Sequence, residues 1–293
     1  MVGSRGLTLI LMVCPAIFLL LLINLYPVIY AGWQSLRNGN LATPGDFVGL
    51  SNYVLILTNV VFAPQFWHAA LFTLIFTVTG VFGSWVVGLG VALLLERRIP
   101  AGGVFKLLLL LPWIVPVVVS AFAFNFLVAT PQSPFPAIAL HLGLGNVLFL
   151  ANPTLAQITL CVFKIWISFP FMMMMMRAAL AGVDHNVYEA AKVDGATGVK
   201  TFRRITLPMI SRTVYISWIL MMIFCVNDFP TVWLLTQGGP NNATNTLAVL
   251  AYETVFGGIP HVGPGVSVAF LATLVLIIVS VILYRQVRRA TAV

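Results

Sequence analysis

Six apolar runs, at about residues 7–30, 67–95, 105–128, 155–176, 213–236 and 265–284, leave this chain one solvent in which to fold. A helix of roughly 20 apolar residues, rising ~1.5 Å per residue, matches the ~30 Å hydrocarbon core of a bilayer. The alternative, a water-soluble globule, fails on surface: 60% of the residues are hydrophobic and 8% charged, and mean hydropathy is +1.04, which leaves too little polar area to cover a core. The expectation is an all-α integral membrane protein: one domain over residues 1–293 with six transmembrane helices. The first run exceeds the 7–15 apolar residues usual in a cleaved signal, so it is read as a span.

The charges orient the spans. Of 15 Lys and Arg, 13 fall where alternation of the runs places the cytoplasm: Arg5, the group Arg97, Arg98 and Lys106, the stretch Arg177–Arg212, and Arg285, Arg288 and Arg289. Basic residues are retained on the cytoplasmic side, so both termini are expected there and the net charge of +8 requires no nucleic acid. Arg37 is the one exception, in a stretch from 31 to 66 otherwise expected outside. Residues 129–154 and 237–264 carry no Lys or Arg and are also expected outside. Pro112 and Pro116, one turn apart, predict a bend in the third span. Cys14, Cys161 and Cys225 sit in apolar runs, and the four histidines are scattered, so neither a disulfide framework nor a metal-ligand spacing is present. Met172 to Met176 cover every face of a helix and read as packing and lipid contact.

The stretch 177–212 is polar yet patterned. Glu189, Ala190, Ala191 and Lys192 favour helix, Gly195 and Gly198 interrupt it, and Phe202 to Leu207 are expected to form a second short turn before Pro208. The run Glu189-Ala190-Ala191 followed by Asp194, Gly195, Ile205, Leu207 and Pro208 resembles the EAA loop of ABC importer permeases. Pro112-Trp113, Trp166 with Pro170-Phe171, Asn227-Asp228 and the segment Leu235 to Leu247 with Gly238-Gly239-Pro240 are similar to the maltose-type and glycerol-phosphate-type branch. Ser211-Arg212 replaces a second proline common there, and Phe124 stands near a common tryptophan position.

The resemblance implies a subunit of the bacterial cytoplasmic membrane that imports a sugar, a di- or oligosaccharide, by alternating access. It implies that Glu189, Ala190, Ala191, Asp194, Gly195, Ile205, Leu207 and Pro208 couple to a separate ATPase. The partners it implies are a second permease, two ATPase copies, an extracytoplasmic sugar-binding lipoprotein and membrane lipid, with ATP and Mg²⁺ held by the ATPases. The chain's own residues agree in one respect: Gly195 to Thr201, the nearest approach to a phosphate-cradling loop, has the wrong glycine spacing and no preceding strand, so no cofactor is expected on this chain. Glycerol-phosphate or polyamine uptake is the second expectation. A stand-alone secondary transporter is disfavoured by the lack of repeated halves, and an enzyme by the lack of an acid–base or metal cluster.

Charged groups inside spans cost at least about 2.5–3.5 kcal/mol each, so Lys164 and Asp228 are the first candidates for the solute pathway. Counting along their helices brings them to one depth, where they either pair or line a polar cavity. Asn227 and Trp166 are suited to sugar hydroxyls and ring faces, with Asn125, Ser168 and Thr231 as further candidates.

Overall fold

A computed structural model describes residues 2–40, 43, 45–96, 102–196, 198–258 and 260–290. Arg97 and Arg98 lie outside the described residues, as do the side chains of Arg5, Arg288 and Arg289. Among the described residues, five helices are long and apolar enough to cross a membrane, and a sixth span exists if one bent pair is counted as a single crossing. The contacts divide the chain into two compact units, Met1–Phe66 with Leu250–Leu271, and Trp67–Val249 with Ala272–Val293.

In the first unit, α1 (Val2–Leu20) passes through a π-helical turn, Leu21–Leu25, into α2 (Tyr26–Ser35). Pro27 has no N–H to give the preceding turn, and the wider turn absorbs the defect, while the Asn24 amide donates to the Leu20 carbonyl at 3.0 Å. No residue of the 18-residue apolar window in Leu11–Ser35 is buried, so the chain itself supplies no cover for that window, and only Gln34 and Ser35 at the end of the helix are buried. Beyond it, α3 (Ser51–Thr58) is tied back by Asn52, whose amide donates to the carbonyls of Ser35 at 2.7 Å and Arg37 at 2.8 Å. Arg37, the exception to the charge rule, is engaged locally: its guanidinium lies 4.1 Å from the Trp33 ring centre and donates to the Gly45 carbonyl at 2.7 Å.

The second unit is built on α4 (Phe62–Leu95), of which it holds the part from Trp67, and α8 (Pro153–Ala181). Glycines on α4 let α8 approach closely, as small residues do between membrane helices. A methyl group at Gly88 would stand 2.7 Å from the Met172 Cβ and from the Met173 backbone nitrogen. Between them in sequence, α5 (Gly102–Ile114) and α6 (Val117–Val128) meet at 96°. The bend expected in the third span is thus a break, because a residue before proline is pushed out of helical geometry and Pro116 is itself extended (ψ 135°). The stretch 129–154 is not open loop, since it contains α7 (Pro134–His141), whose first turn tolerates Pro134 and Pro136.

After α8 come α9 (His185–Val193), the single turn α10 (Val199–Thr201), a π-helical turn at Phe202–Thr206, and α11 (Leu207–Val226). The expectation of a short second turn is corrected here: Val199–Val226 is one 28-residue helix, and the fifth span is its continuation. Pro208 does not end it, because the π turn before the proline takes up the missing hydrogen bond. The fifth span also stops earlier than expected, at Val226, and α12 (Phe229–Leu235) starts afresh after Asn227-Asp228. Residues 237–264 are likewise more than loop: α13 (Leu247–Phe256) lies within them, and Ala243 to Leu247 are buried. Thr244 donates to the Gly239 carbonyl at 2.7 Å, Gln157 donates to the Ala243 carbonyl at 2.6 Å, and Leu247 N–H donates to the Thr73 hydroxyl at 2.8 Å. The last helix is α14 (Val262–Ala290). Three of the five methionines, Met172, Met173 and Met176, are buried, Met173 and Met176 in an inner cluster with Leu89, Ile210 and Val214.

Candidate functional site

The knob after α8 is built on α9, whose two ends are closed by neighbouring residues. Asp184 caps α9 by accepting from the Asn186 N–H at 3.0 Å. At the other end Gly195 adopts φ +73°, which a glycine takes without a Cβ penalty. Two bonds then close the helix, Ala196 N–H to the Ala191 carbonyl at 2.8 Å and Gly195 N–H to the Lys192 carbonyl at 3.1 Å. This cap explains the spacing from Ala191 to Gly195 directly. Asp194 is the residue at the C-cap.

The knob presents an apolar tip. Val193 is 88% and Val199 72% exposed, and Lys192, Lys200, Arg203 and Arg204 are exposed around them. Glu189 and Ala190 face outward too, with the Glu189 carboxylate 3.6 Å from the His185 ring, whereas Ala191 is buried. Ile205 and Leu207 are half-buried and Pro208 is exposed. Exposed valines on a segment whose Lys192, Lys200, Arg203 and Arg204, but also Glu189 and Asp194, are exposed form a surface suited to a groove with an apolar floor and polar sides.

The interior charges are brought together. Lys164 of α8 donates to Asp228 Oδ2 at 2.6 Å, and both side chains are almost wholly buried. The other oxygen, Oδ1, accepts from the Thr231 N–H at 3.0 Å and so caps α12. Both carboxylate oxygens are therefore engaged within the chain, at the place where α11 stops and α12 begins. A methyl group at Gly80 would lie 2.8 Å from the Cys225 sulfur and 3.1 Å from the Lys164 Cγ, so this glycine makes room for the pair on the α4 side. Neither glycine nor cysteine announced that role; a signal of sorts is the small residue opposite each span's only charge.

The remaining candidates separate by exposure. Ser168 and Thr231 are buried. Trp166 is 40% exposed and packs on Phe163, Asn125 is half-buried, and Asn227 is exposed with its amide turned back to the Ile223 carbonyl at 2.9 Å. An aromatic group not anticipated from the sequence lies nearby in the same unit: Trp113 stacks on Phe171 at 5.3 Å and leans on Phe224 at 6.1 Å. Trp113 and Phe224 stay partly exposed.

A multi-pass helical membrane protein with interrupted spans, a buried internal ion pair and a capped polar knob has the build of a membrane transport component. The chain belongs to the family of binding-protein-dependent transport system inner membrane components, whose model matches residues 3–293. Among its relatives, the trehalose/maltose transport system permease protein of Thermococcus litoralis is 31% identical over 280 residues, covering 95% of this chain and 92% of the relative. The trehalose transport system permease protein of Mycobacterium tuberculosis is 31% identical over 268 residues, covering 89% and 82%. In structure, a chain of a bacterial ABC transporter involved in the import of the acidic polysaccharide alginate aligns with TM-score 0.81 at 20% identity, over 98% of this chain and 96% of that one. The fold is that of ABC importer permeases, and the protein is a multi-pass inner membrane component.

Proposed function

We propose that the chain is the transmembrane subunit of an ATP-driven importer carrying a neutral di- or oligosaccharide, with residues 1–293 acting as one permease domain. The observation that carries this reading is the neutralised interior. Lys164 and Asp228 answer each other's charge, so neither is free to attract a phosphate ester or a polyamine. Amide and aromatic groups that keep solvent exposure remain, Asn227, Trp166, Trp113 and Phe224 with the half-buried Asn125, and these suit hydroxyls and sugar faces. Relatives named for trehalose and maltose support the same cargo class. In this reading Lys164, Asp228, Ser168 and Thr231 hold the helices that present those groups.

Both termini and the α9 knob face the cytoplasm, following the basic residues. An ATPase receives the knob at Val193 and Val199, with Glu189, Ala190, Asp194 and Gly195 shaping the contact and Ile205, Leu207 and Pro208 joining it to the span. ATP and Mg²⁺ are bound by two copies of that ATPase, a second permease completes the pathway, and an extracytoplasmic sugar-binding lipoprotein delivers the solute. ATP-driven closure of the ATPases draws the knobs together and opens the pathway outward; hydrolysis reverses this. Such a cycle requires the solute or the partners to bind the two states differently.

The test is the purified complex in proteoliposomes, assayed for ATPase stimulation by its binding protein with trehalose or maltose, glycerol 3-phosphate, or spermidine. Stimulation by a neutral sugar, lost in Glu189→Lys together with ATPase retention, is the expected result. Stimulation by the phosphate or the amine overturns the cargo, and uptake by the chain without any ATPase overturns the mechanism.

A further inference from the structure

The helix α7 has two unlike sides. Pro136 and Ala139 are buried, on the side that packs against α6. Phe135, Ile138 and Leu142, three and four positions apart and hence on one face, are 42%, 54% and 71% exposed. On the adjoining α6, Phe122 and Phe126 are 63% and 74% exposed, so both of these contacting helices carry bare apolar side chains.

We infer that the outer face of α7 is set into the bilayer, at the boundary between headgroups and acyl chains, and that its occupant is lipid rather than a protein. Three observations carry this. First, no Asp, Glu, Lys or Arg occurs from residue 107 to residue 163, and neither α6 nor α7 contains Trp or Tyr, so this surface has neither the charged rim nor the Trp, Tyr and Arg anchors on which docking surfaces between proteins depend. Second, the segment satisfies its own backbone, as hydrocarbon demands. Leu144 N–H donates to the Ala139 carbonyl and Gly143 N–H to the Leu140 carbonyl, each at 3.0 Å, with Gly143 at φ +77°, so the helix end is closed without water. The hydroxyls of Thr130 and Ser133 bond to one another at 3.1 Å ahead of it. Third, α7 packs against α6, the second half of the bent apolar pair that makes the third candidate span of an inner membrane protein. The inference rests on that membrane placement and is independent of the cargo proposed above; the topology only decides that the leaflet is the outer one.

The experiment uses the full chain, with Cys14, Cys161 and Cys225 replaced by alanine, in the complex with the partner subunits that co-purify with it, reconstituted in phosphatidylcholine vesicles with and without phosphatidylglycerol. Nitroxide labels are placed at Ile138→Cys and Leu142→Cys, with Gln132→Cys as an exposed reference and Ala139→Cys as a buried one. Collision with oxygen is compared with collision with a water-soluble nickel chelate. At 138 and 142 oxygen should prevail severalfold, equally in both lipid mixtures because no basic residue is present, while nickel prevails at 132. Prevalence of nickel at 138 and 142 would mean a solvated face, and low collision with both agents, as at 139, would mean a protein cover; either overturns the inference. Adding the chelate only outside the vesicles tests the leaflet separately.

Discussion

Removing one charge of the buried pair should unfold the break between α11 and α12, and removing both should largely spare it. Lys164 and Asp228 are 2.6 Å apart with side chains 7% and 9% exposed. Asp228→Asn retains the cap on Thr231, since asparagine caps as well as aspartate does, but strands an ammonium inside the span at a cost of about 3 kcal/mol. Lys164→Met strands the carboxylate instead, and measured losses for breaking one side of a buried pair are about 3–5 kcal/mol. The double variant Lys164→Met with Asp228→Asn leaves no charge unmet, and its loss should fall to about 1 kcal/mol, well short of the sum of the two singles. Thermal unfolding in mild detergent, followed by tryptophan emission, measures this. Each single variant should melt about 5–10 °C below the parent and the double variant within a few degrees of it. Uptake should recover with stability, because the pair positions the helices and does not touch the solute. The reasoning is refuted if the single variants melt with the parent, or if the double variant is as damaged as the two singles combined. Recovery of stability without recovery of uptake would restore a solute contact to Asp228.

Three further outcomes follow from the packing. Gly88→Ala forces a methyl to 2.7 Å from the Met172 Cβ and the Met173 backbone nitrogen and should cost about 1–3 kcal/mol, whereas Gly90→Ala meets nothing within 4 Å and should be neutral or slightly stabilising; melting of both variants decides it. Gly195→Val requires a β-branched residue at φ +73° and should open the α9 cap, with about 1–2 kcal/mol lost locally and the ATPase no longer retained on purification. Thr244→Val removes the donor to Gly239 and the partner of the Thr236 hydroxyl, 2.7 Å away, and should lower the melting point by the equivalent of about 1–3 kcal/mol without altering ATPase retention.

What could be read from the sequence was whatever rests on solvent and on local rules. Apolar length gave the spans, and the glycine at 195 marks a helix end that obeys a local backbone rule. Where two local rules competed, reading stopped. Pro208 argues for a helix end, yet a π turn preserves the helix through it; Pro116 argues only for a bend, yet with Pro112 it produces a 96° break. Lys164 and Asp228, 64 residues apart, could be brought to one depth by counting, but which atom met which depended on Gly80 and Cys225, whose packing has no linear signature. The segment from Ala243 to Leu247 shows the opposite difficulty. It is polar in composition and reads as loop, but hydrogen bonds to residues more than 80 positions away, Gln157 and Thr73 among them, bury it.

The helix from Val199 to Val226 has no joint of the kind a glycine pair would give, and at 28 residues it is about 42 Å long. Swinging its Val199 end by roughly 10° about the other would sweep an arc of about 7 Å, more than one helical turn. Beyond the widened turn at Phe202–Thr206 such a beam would carry a displacement to the Asn227-Asp228 gap, where α12 starts afresh. If the proposed docking at the knob drives this helix, its direction can change at two short places, the widened turn at Phe202–Thr206 near the driven end and the Asn227-Asp228 gap at the other.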